Sequence, residues 1–435
     1  MAPSEHFVPP RARTGRAWTV TVLVLLFLLI NYADKTVVGL AAEPIMKDLG
    51  LGERQYALVQ SSFYFLFSVS GIVVGFAAAK RRSTRVMVVL ALVWGVTALP
   101  VAAGLGLAAL IASRIALGAA EGPAVPAATH TVYGWFRARD RALPNALVHI
   151  GPTLGVVASA PLLSWIIADF GYRTAFGVLF ALSVVWSAVW LLIARDGPYA
   201  RTSAEDRRAA SPREGAAPVP YRVLFLSGTV IGAVLTGFVA FWATTTALGF
   251  LPRYLSSGLG IGRQQAGTLT ALPPLLATVV ILAMGAVATR LRRGGMDSRR
   301  AYCLPGMALL AVSGATMILF PHTEKGMALV LITVAFGLPS AFYPMIWLLI
   351  GELVPPERRL AVTAATTAIA TSAGVFAPLV MGGFLTADRG YAAGFGVCGG
   401  LLLAGAVLGA VLINPARDLR RLTTLAPADE STSPA

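Results

Sequence analysis

The sequence predicts an all-α membrane protein of twelve transmembrane helices in two pseudo-symmetric six-helix halves. Three observations carry that prediction. Hydrophobic residues make up 56% of the 435 positions and charged ones only 13%, too apolar a balance for a soluble chain of this size. Apolar runs of about 20 residues, the length that crosses a ~30 Å hydrocarbon core, recur along the whole chain. The basic residues between those runs alternate from rich to poor, as they do when successive loops lie on opposite sides of a membrane.

Taken in order, the run at 18–40 follows a short Arg-containing tail, residues 1–17. Its length of about 22 residues and the lack of a small-residue cleavage site predict a retained helix rather than a signal peptide. Runs at 57–79 and 86–106 flank Lys80-Arg81-Arg82. The fourth, 107–133, contains Arg114 and Glu121 and is punctuated by Gly118, Gly122, Pro123 and Pro126; the fifth, 143–168, carries Gly151, Pro152, Gly155 and Pro161. Small residues let helices approach closely, and Pro frees backbone carbonyls that a cavity can use. The run at 174–194 closes the first half, 18–194. Residues 195–222, rich in Arg, Ala, Pro and acidic residues, form the longest polar stretch and read as a linker. Runs at 223–251, 265–289, 301–320, 327–350, 360–386 and 391–413 make the second half, 223–413, and a polar tail of 414–435 follows.

The formal charge of +15 invites a nucleic-acid reading, which its distribution excludes. With both termini placed in the cytoplasm, 26 of the 35 Lys and Arg residues fall in the tails, the linker and the alternate loops on that side, and 7 on the other; Lys35 and Arg114 are the remaining two. The bias orients the chain in a cell (inner or plasma) membrane and points to no nucleic-acid partner. Cys303 and Cys398 are isolated within apolar runs, so neither a disulfide, a metal site nor a bound cofactor is expected.

An internal repeat supports the division into halves. Asp140-Arg141 precedes Pro161-Leu162 by 21 residues, and Glu357-Arg358 precedes Pro378-Leu379 by the same interval, each at the start of the fifth helix of its half. Gly75 with Lys80-Arg81-Arg82 is echoed by Gly285 with Arg290, Arg292 and Arg293. Two such halves describe the architecture of secondary transporters, which bind substrate between the halves near the midplane.

Four ionisable residues lie inside the predicted spans, all in the first third of the chain: Asp34, Lys35, Arg114 and Glu121. Each costs roughly 2.5–3.5 kcal/mol on insertion scales, so such residues face a polar path or one another. Arg114 and Glu121 are seven residues apart, nearly two helical turns, and share a face with Gly118 between them. Arg offers a planar fork for a carboxylate, and Glu takes and releases a proton. Asp34 and Lys35 are adjacent and point about 100° apart. The expectation is that Asp34 and Glu121 carry protons while Lys35 and Arg114 meet an anion approaching along the Gly118 face. Static interhelical pairing, Asp34 with Arg114 or Lys35 with Glu121, is the plainer alternative. Since the second-half runs contain no Asp, Glu, Lys or Arg, that half is expected to supply shape and neutral hydrogen bonds. Its candidates are Trp242 and Thr244 to Thr246, Tyr343 and Trp347, and Thr367 and Thr371. Tyr32 and His149 join the candidate substrate contacts of the first half, whereas His130 reads as a packed histidine.

At these residues the chain resembles the major facilitator superfamily, and within it the anion:cation symporters, which include galactonate, hexuronate and aromatic-acid transporters, sialin and the vesicular glutamate transporters. The segments concerned are Asn31-Tyr-Ala-Asp-Lys35, Arg114-Ile-Ala-Leu-Gly-Ala-Ala-Glu-Gly-Pro123, and Trp135-Phe136 through Asp140-Arg141. The resemblance implies symport of a small organic anion, a carboxylate, with protons, by a monomer embedded in the lipid bilayer. It also implies protonation at Asp34 and Glu121, and anion contacts at Lys35, which replaces the commoner Arg, and at Arg114. Three departures stand out. Ala79 occupies the place of the Asp expected four residues after Gly75. His149-Ile-Gly-Pro152 stands where sugar-acid transporters resemble Asn-Ser-Gly-Gln, and Thr371 stands where a polar amide is typical. The last two favour a sparsely hydroxylated or aromatic carboxylate over a polyol acid. Gly151-Pro152-Thr-Leu-Gly155 partly resembles the motif of proton-coupled drug exporters, which makes antiport the alternative. A membrane-embedded solute sensor is a further one, and with no nucleophile or metal motif an enzyme is not expected.

Overall fold

The computed structural model describes residues 11–78, 83–136, 140, 142–199, 220–387 and 390–425. Among them, twelve helices are long and apolar enough to cross a membrane. They are α1 (Gly15–Leu40), α2 (Glu53–Val73), α3 (Thr84–Ala102), α4 (Gly106–Tyr133), α5 (Ala146–Phe170), α6 (Tyr172–Ile193), α7 (Gly228–Gly258), α8 (Arg263–Arg293), α9 (Arg299–His322), α10 (Lys325–Phe342), α11 (Ala361–Thr386) and α12 (Gly390–Leu412). Each coincides with one predicted run. In hydrocarbon every backbone polar group must be satisfied within the segment, which is why apolar stretches this long adopt helix. The lipid-facing surface stays apolar, with Val73, Leu192, Val279 and Val407 all well exposed.

The helix contacts repeat between the two halves. In the first, α1 packs on α5, α2 on α4 and α3 on α6; in the second, α7 packs on α11, α8 on α10 and α9 on α12. Adding six to each label converts one set into the other. Across the halves α1 meets α7, α2 meets α11 and α5 meets α8. A two-fold exchange of halves maps the first contact onto itself and swaps the other two.

Each half has its own aromatic core. In the first, the Phe27 and Trp94 rings lie 4.3 Å apart and Trp186 stacks on Trp190 at 4.9 Å. Two of the three indole N–H groups there are used: Trp186 donates to the Leu23 carbonyl at 2.9 Å and Trp190 to that of Thr84 at 3.0 Å. In the second, Tyr254, Phe320, Phe336 and Phe395 interlock, with Phe320 and Phe395 4.8 Å apart. A terminal helix, Pro415–Leu425, docks through buried Asp418, which accepts from the Thr229 backbone N–H and hydroxyl at 2.7 Å each and pairs with Arg417 at 3.0 Å.

At the end of the bundle holding the α1–α2 and α7–α8 loops, the halves are tied by ion pairs. Arg253 of α7 forms a two-pronged pair with Glu53 of α2. Arg263 of α8 meets Glu43 at 2.9 Å, and Ser256 donates to the same carboxylate at 3.0 Å. Deeper on this side, the Tyr56 hydroxyl donates to the Gly249 carbonyl at 2.7 Å and itself accepts from the Gln60 amide at 2.6 Å. Ser61 donates to the Val375 carbonyl at 2.8 Å.

Candidate functional site

The four intramembrane charges converge. Asp34, Lys35, Arg114 and Glu121 are 4%, 8%, 3% and 2% exposed, brought together where α1 and α4 flank α2. Helical phase places Lys35 one turn beyond Asn31, and its ammonium donates to the Asn31 side-chain oxygen at 3.1 Å. The same ammonium lies 3.0 Å from Glu121 Oε2 and 4.1 Å above the Tyr32 ring, with Phe67 at 5.2 Å. Tyr32, half-buried, therefore touches the site through Lys35. A cation so placed is held by charge, amide and ring quadrupole together.

Arg114 is held differently. Its guanidinium stacks over Phe63, 4.6 Å from the ring centre, and donates to the Asp34 backbone carbonyl at 3.4 Å. It reaches a carbonyl beside the carboxylate rather than the carboxylate. The divergence expected of neighbours on a helix is thus realised: Lys35 pairs with Glu121, while Asp34 turns elsewhere. Of the two static pairings weighed from sequence, Lys35 with Glu121 is present.

Arg114, Gly118 and Glu121 do share a face, but it is not open at Gly118 to an approaching anion. A Cβ on Gly118 would collide with the Phe63 carbonyl oxygen, because the α2 backbone presses directly against it. The small residue serves helix approach, and the close pass places Phe63 against both cations and Phe67 against Lys35. Pro123, which lacks an N–H, interrupts α4 between its segments Gly106–Glu121 and Ala124–Tyr133. Glu121 therefore ends the first segment. On α5, Gly155 passes within 2.8 Å, measured from a built Cβ, of the Tyr32 Cβ, fixing the wall behind Tyr32.

Several polar atoms in this cluster are buried without a hydrogen-bond partner among the described residues: Asn31 Nδ2, Asp34 Oδ2, Arg114 Nε and Glu121 Oε1. Buried polar atoms are ordinarily satisfied, so four orphans in one cluster single it out as the candidate site.

Beyond the Arg253–Glu53 pair, the second half faces α2 with neutral groups. Thr371 of α11 exchanges a hydroxyl contact with Ser68 of α2 at 2.6 Å and also donates to the Thr367 carbonyl at 2.9 Å. Thr367, half-buried, bonds the Thr363 carbonyl at 2.7 Å. Thr245 and Thr246 are buried and bond back to the Trp242 carbonyl at 3.0 and 2.9 Å, which spends their hydroxyls inside α7. Thr244 reaches Ser340 at 3.5 Å, and Trp242 packs on Phe238 at 6.0 Å. His130 is half-buried and engaged with a neighbour. The side chains of His149, Tyr343 and Trp347 lie outside the described residues, as do those of Gly75 to Ala79 and of Arg141.

Sequence reasoning passed over the α2 contribution. Tyr56, Gln60, Phe63, Tyr64 and Phe67 recur at spacings of three and four and form one helix face. Tyr64 bridges Phe63, Phe67 and Phe241 of α7, at 4.7, 5.9 and 5.7 Å between rings. The spacing of three and four is the signal in the sequence that marks this face.

Comparison with known proteins follows the same lines. The chain is 27% identical to the probable sulfoacetate transporter SauU of Cupriavidus necator, over 90% of this chain and 93% of that one. It is 25% identical to the hexuronate transporter of Bacillus subtilis, over 87% and 91%, and 26% identical to the D-galactonate transporter of Escherichia coli, over 94% and 98%. The fold superposes on the inward-open xylose transporter XylE of E. coli with a TM-score of 0.74 at 12% identity, covering 94% of this chain and all of that one. The sequence matches the Major Facilitator Superfamily over residues 24–378 and 233–433. This multi-pass membrane transporter belongs to the Major Facilitator Superfamily.

Proposed function

We propose that this chain takes up a small organic anion, a carboxylate, in symport with protons by alternating access, and that it does so as a monomer in the cell membrane with both termini cytoplasmic. The observation that carries the reading is the buried cluster of two acids and two bases with its orphaned polar atoms. The similarity to transporters named for sulfoacetate, hexuronate and D-galactonate supports an anionic solute.

In the proposed cycle Glu121 holds Lys35 while no anion is bound. Protonation of Glu121 cancels that attraction and frees the Lys35 ammonium for a carboxylate, with Arg114 as second contact. Asp34 is the second proton carrier, its carboxylate beside but not bonded to Arg114. The empty site, two carboxylates against two bases, is neutral; it is neutral again with one carboxylate and one proton bound, so those two states cross the apolar barrier at similar cost, and a second proton at Asp34 leaves it at a single positive charge. Residues 18–194 and 223–413 act as the moving units and 195–222 as their tether. The Glu53–Arg253 and Glu43–Arg263 pairs hold the extracellular end shut. Thr371 stands where an amide is typical, and its hydroxyl and that of Thr367 are already engaged, which favours a sparsely hydroxylated substrate.

The test is uptake into proteoliposomes of radiolabelled sulfoacetate, galactonate, glucuronate and benzoate, with and without an inward proton gradient. Uptake of at least one, stimulated by the gradient, is expected. Gradient-insensitive uptake, or uptake of none alongside efflux of hydrophobic cations, refutes the proposal.

A further inference from the structure

Away from the charged cluster, a cavity of approximately 620 Å³ opens where α8 ends and α9 begins. Gly285, Thr289, Arg292, Arg293, Met296 and Tyr302 line it. Its volume lies in the range of small-ligand sites. Its charge is unbalanced: Arg292 lies 3.5 Å from Glu352, whose carboxylate also accepts from Ser298 and Tyr302. Arg293 and nearby Arg290 have no ion pair among the described residues. Of these three guanidinium groups only that of Arg292 has a carboxylate partner among the described residues, and the neighbouring Asp297 pairs with Arg300.

The wall above the cavity is apolar and faces lipid. Leu275, Leu282 and Thr289 follow one another at intervals of seven, almost two turns, and so lie on one stripe of α8 that ends at Arg293. Leu275 and Leu282 are 44% and 62% exposed. Gly285 adds no bulk beside that stripe, and nothing stands within 4 Å of where its Cβ would be. A basic recess at the water boundary, continuous with an exposed apolar stripe, matches the two parts of one kind of molecule.

We infer that this cavity is a binding site for an anionic phospholipid, the phosphate seated between Arg292 and Arg293 and an acyl chain lying along Leu282 and Leu275. Arg suits the phosphate because its planar fork donates two parallel hydrogen bonds. The recess opens beside a lipid-facing stretch of α8, within reach of a headgroup in the membrane, so the lipid is the occupant and the soluble anion is the arm that tests against it.

The experiment is native mass spectrometry of the purified full-length protein in detergent, titrated with phosphatidylglycerol, phosphatidylcholine or glycerol 3-phosphate. The unmodified chain is expected to retain phosphatidylglycerol in preference to both others. Each arginine near an anionic headgroup contributes roughly fivefold in affinity, so R293Q weakens retention about fivefold and R292Q/R293Q roughly 30-fold. R207Q/R208Q, which removes the same charge from the linker, changes it less than about twofold on the same reasoning. R293Q breaks no ion pair, so its result stands even where loss of Arg292 disturbs the Glu352 contacts. Equal retention of phosphatidylcholine, unchanged phosphatidylglycerol affinity in both variants, or binding of glycerol 3-phosphate as tight as that of the lipid overturns the inference.

Discussion

Replacing Lys35 by Met and Glu121 by Gln, singly and together, probes the site at its closest contact. The ammonium and carboxylate are 3.0 Å apart, with side chains 9% and 0% exposed. At an effective dielectric of about 20 their attraction is roughly 5.5 kcal/mol. Burying both charges costs several kcal/mol per ion, so the intact pair is close to neutral for stability. Removing one partner is a different matter. Lys35→Met strands the Glu121 carboxylate with Oε1 already unpartnered, and is expected to cost about 3–5 kcal/mol. Glu121→Gln costs less, about 2 kcal/mol, because Asn31 and the Tyr32 ring still hold the ammonium. The double variant removes both charges and is expected within about 1 kcal/mol of the unmodified protein. Thermal unfolding of purified protein at pH 7.5 reads the ordering: Lys35→Met lowest, Glu121→Gln intermediate, the double variant recovered. A double variant that melts below both singles shows that the two effects add, and refutes a coupled buried pair.

Three other perturbations follow from the packing. Gly118→Ala drives a methyl into the Phe63 carbonyl; backbone cannot yield as a side chain does, so a loss of about 2–3 kcal/mol and a sharp fall in monodisperse yield are expected, against little change for Gly285→Ala. Glu53→Gln combined with Glu43→Gln removes the charges tying α2 and the α1–α2 loop to Arg253 and Arg263; a cysteine placed at Ser61 is then expected to react several-fold faster with a membrane-impermeant maleimide, and an unchanged rate contradicts the gating role. Asp418 is buried, which alone pushes its carboxyl up, but the bonds from Arg417 and Thr229 outweigh burial and hold it below the ordinary carboxylate range. A depressed carboxyl stabilises the fold above about pH 4 and loses that contribution as pH falls through its folded value. Asp418→Asn is therefore expected to cost about 1–2 kcal/mol at pH 7 and to flatten the acid limb of a melting-temperature profile.

The sequence made the helices legible because hydrocarbon demands them. A run such as 391–413 has no alternative to helix, and its ends are set by Arg389 and Asn414. The halves were legible through the offset repeat, which the paired contacts α2–α4 and α8–α10 restate in space. The four charges were legible by cost alone. Their partners were not: which of Lys35 and Asp34 meets Glu121 depends on how α1 is rotated against α4. That rotation is set by how each helix packs on its neighbours, through contacts such as Gly155 on Tyr32 and Gly118 on Phe63, which no spacing encodes. The aromatic face of α2 lacks charge and differs from lipid-facing residues such as Phe65 only in its spacing of three and four. The ties between Glu53 and Arg253 join residues 200 apart, and only the fold brings them together.

The central claim is that Glu121 couples proton movement to anion movement. Proteoliposomes containing Glu121→Gln, loaded with whichever anion the unmodified protein takes up, measure it in two modes: counterflow with no gradient, and accumulation driven by an inward proton gradient. Exchange needs the carrier to turn over only while loaded, so counterflow is expected to persist within about tenfold while gradient-driven accumulation falls to background. Accumulation by Glu121→Gln at the unmodified rate, still driven by the proton gradient, contradicts the account.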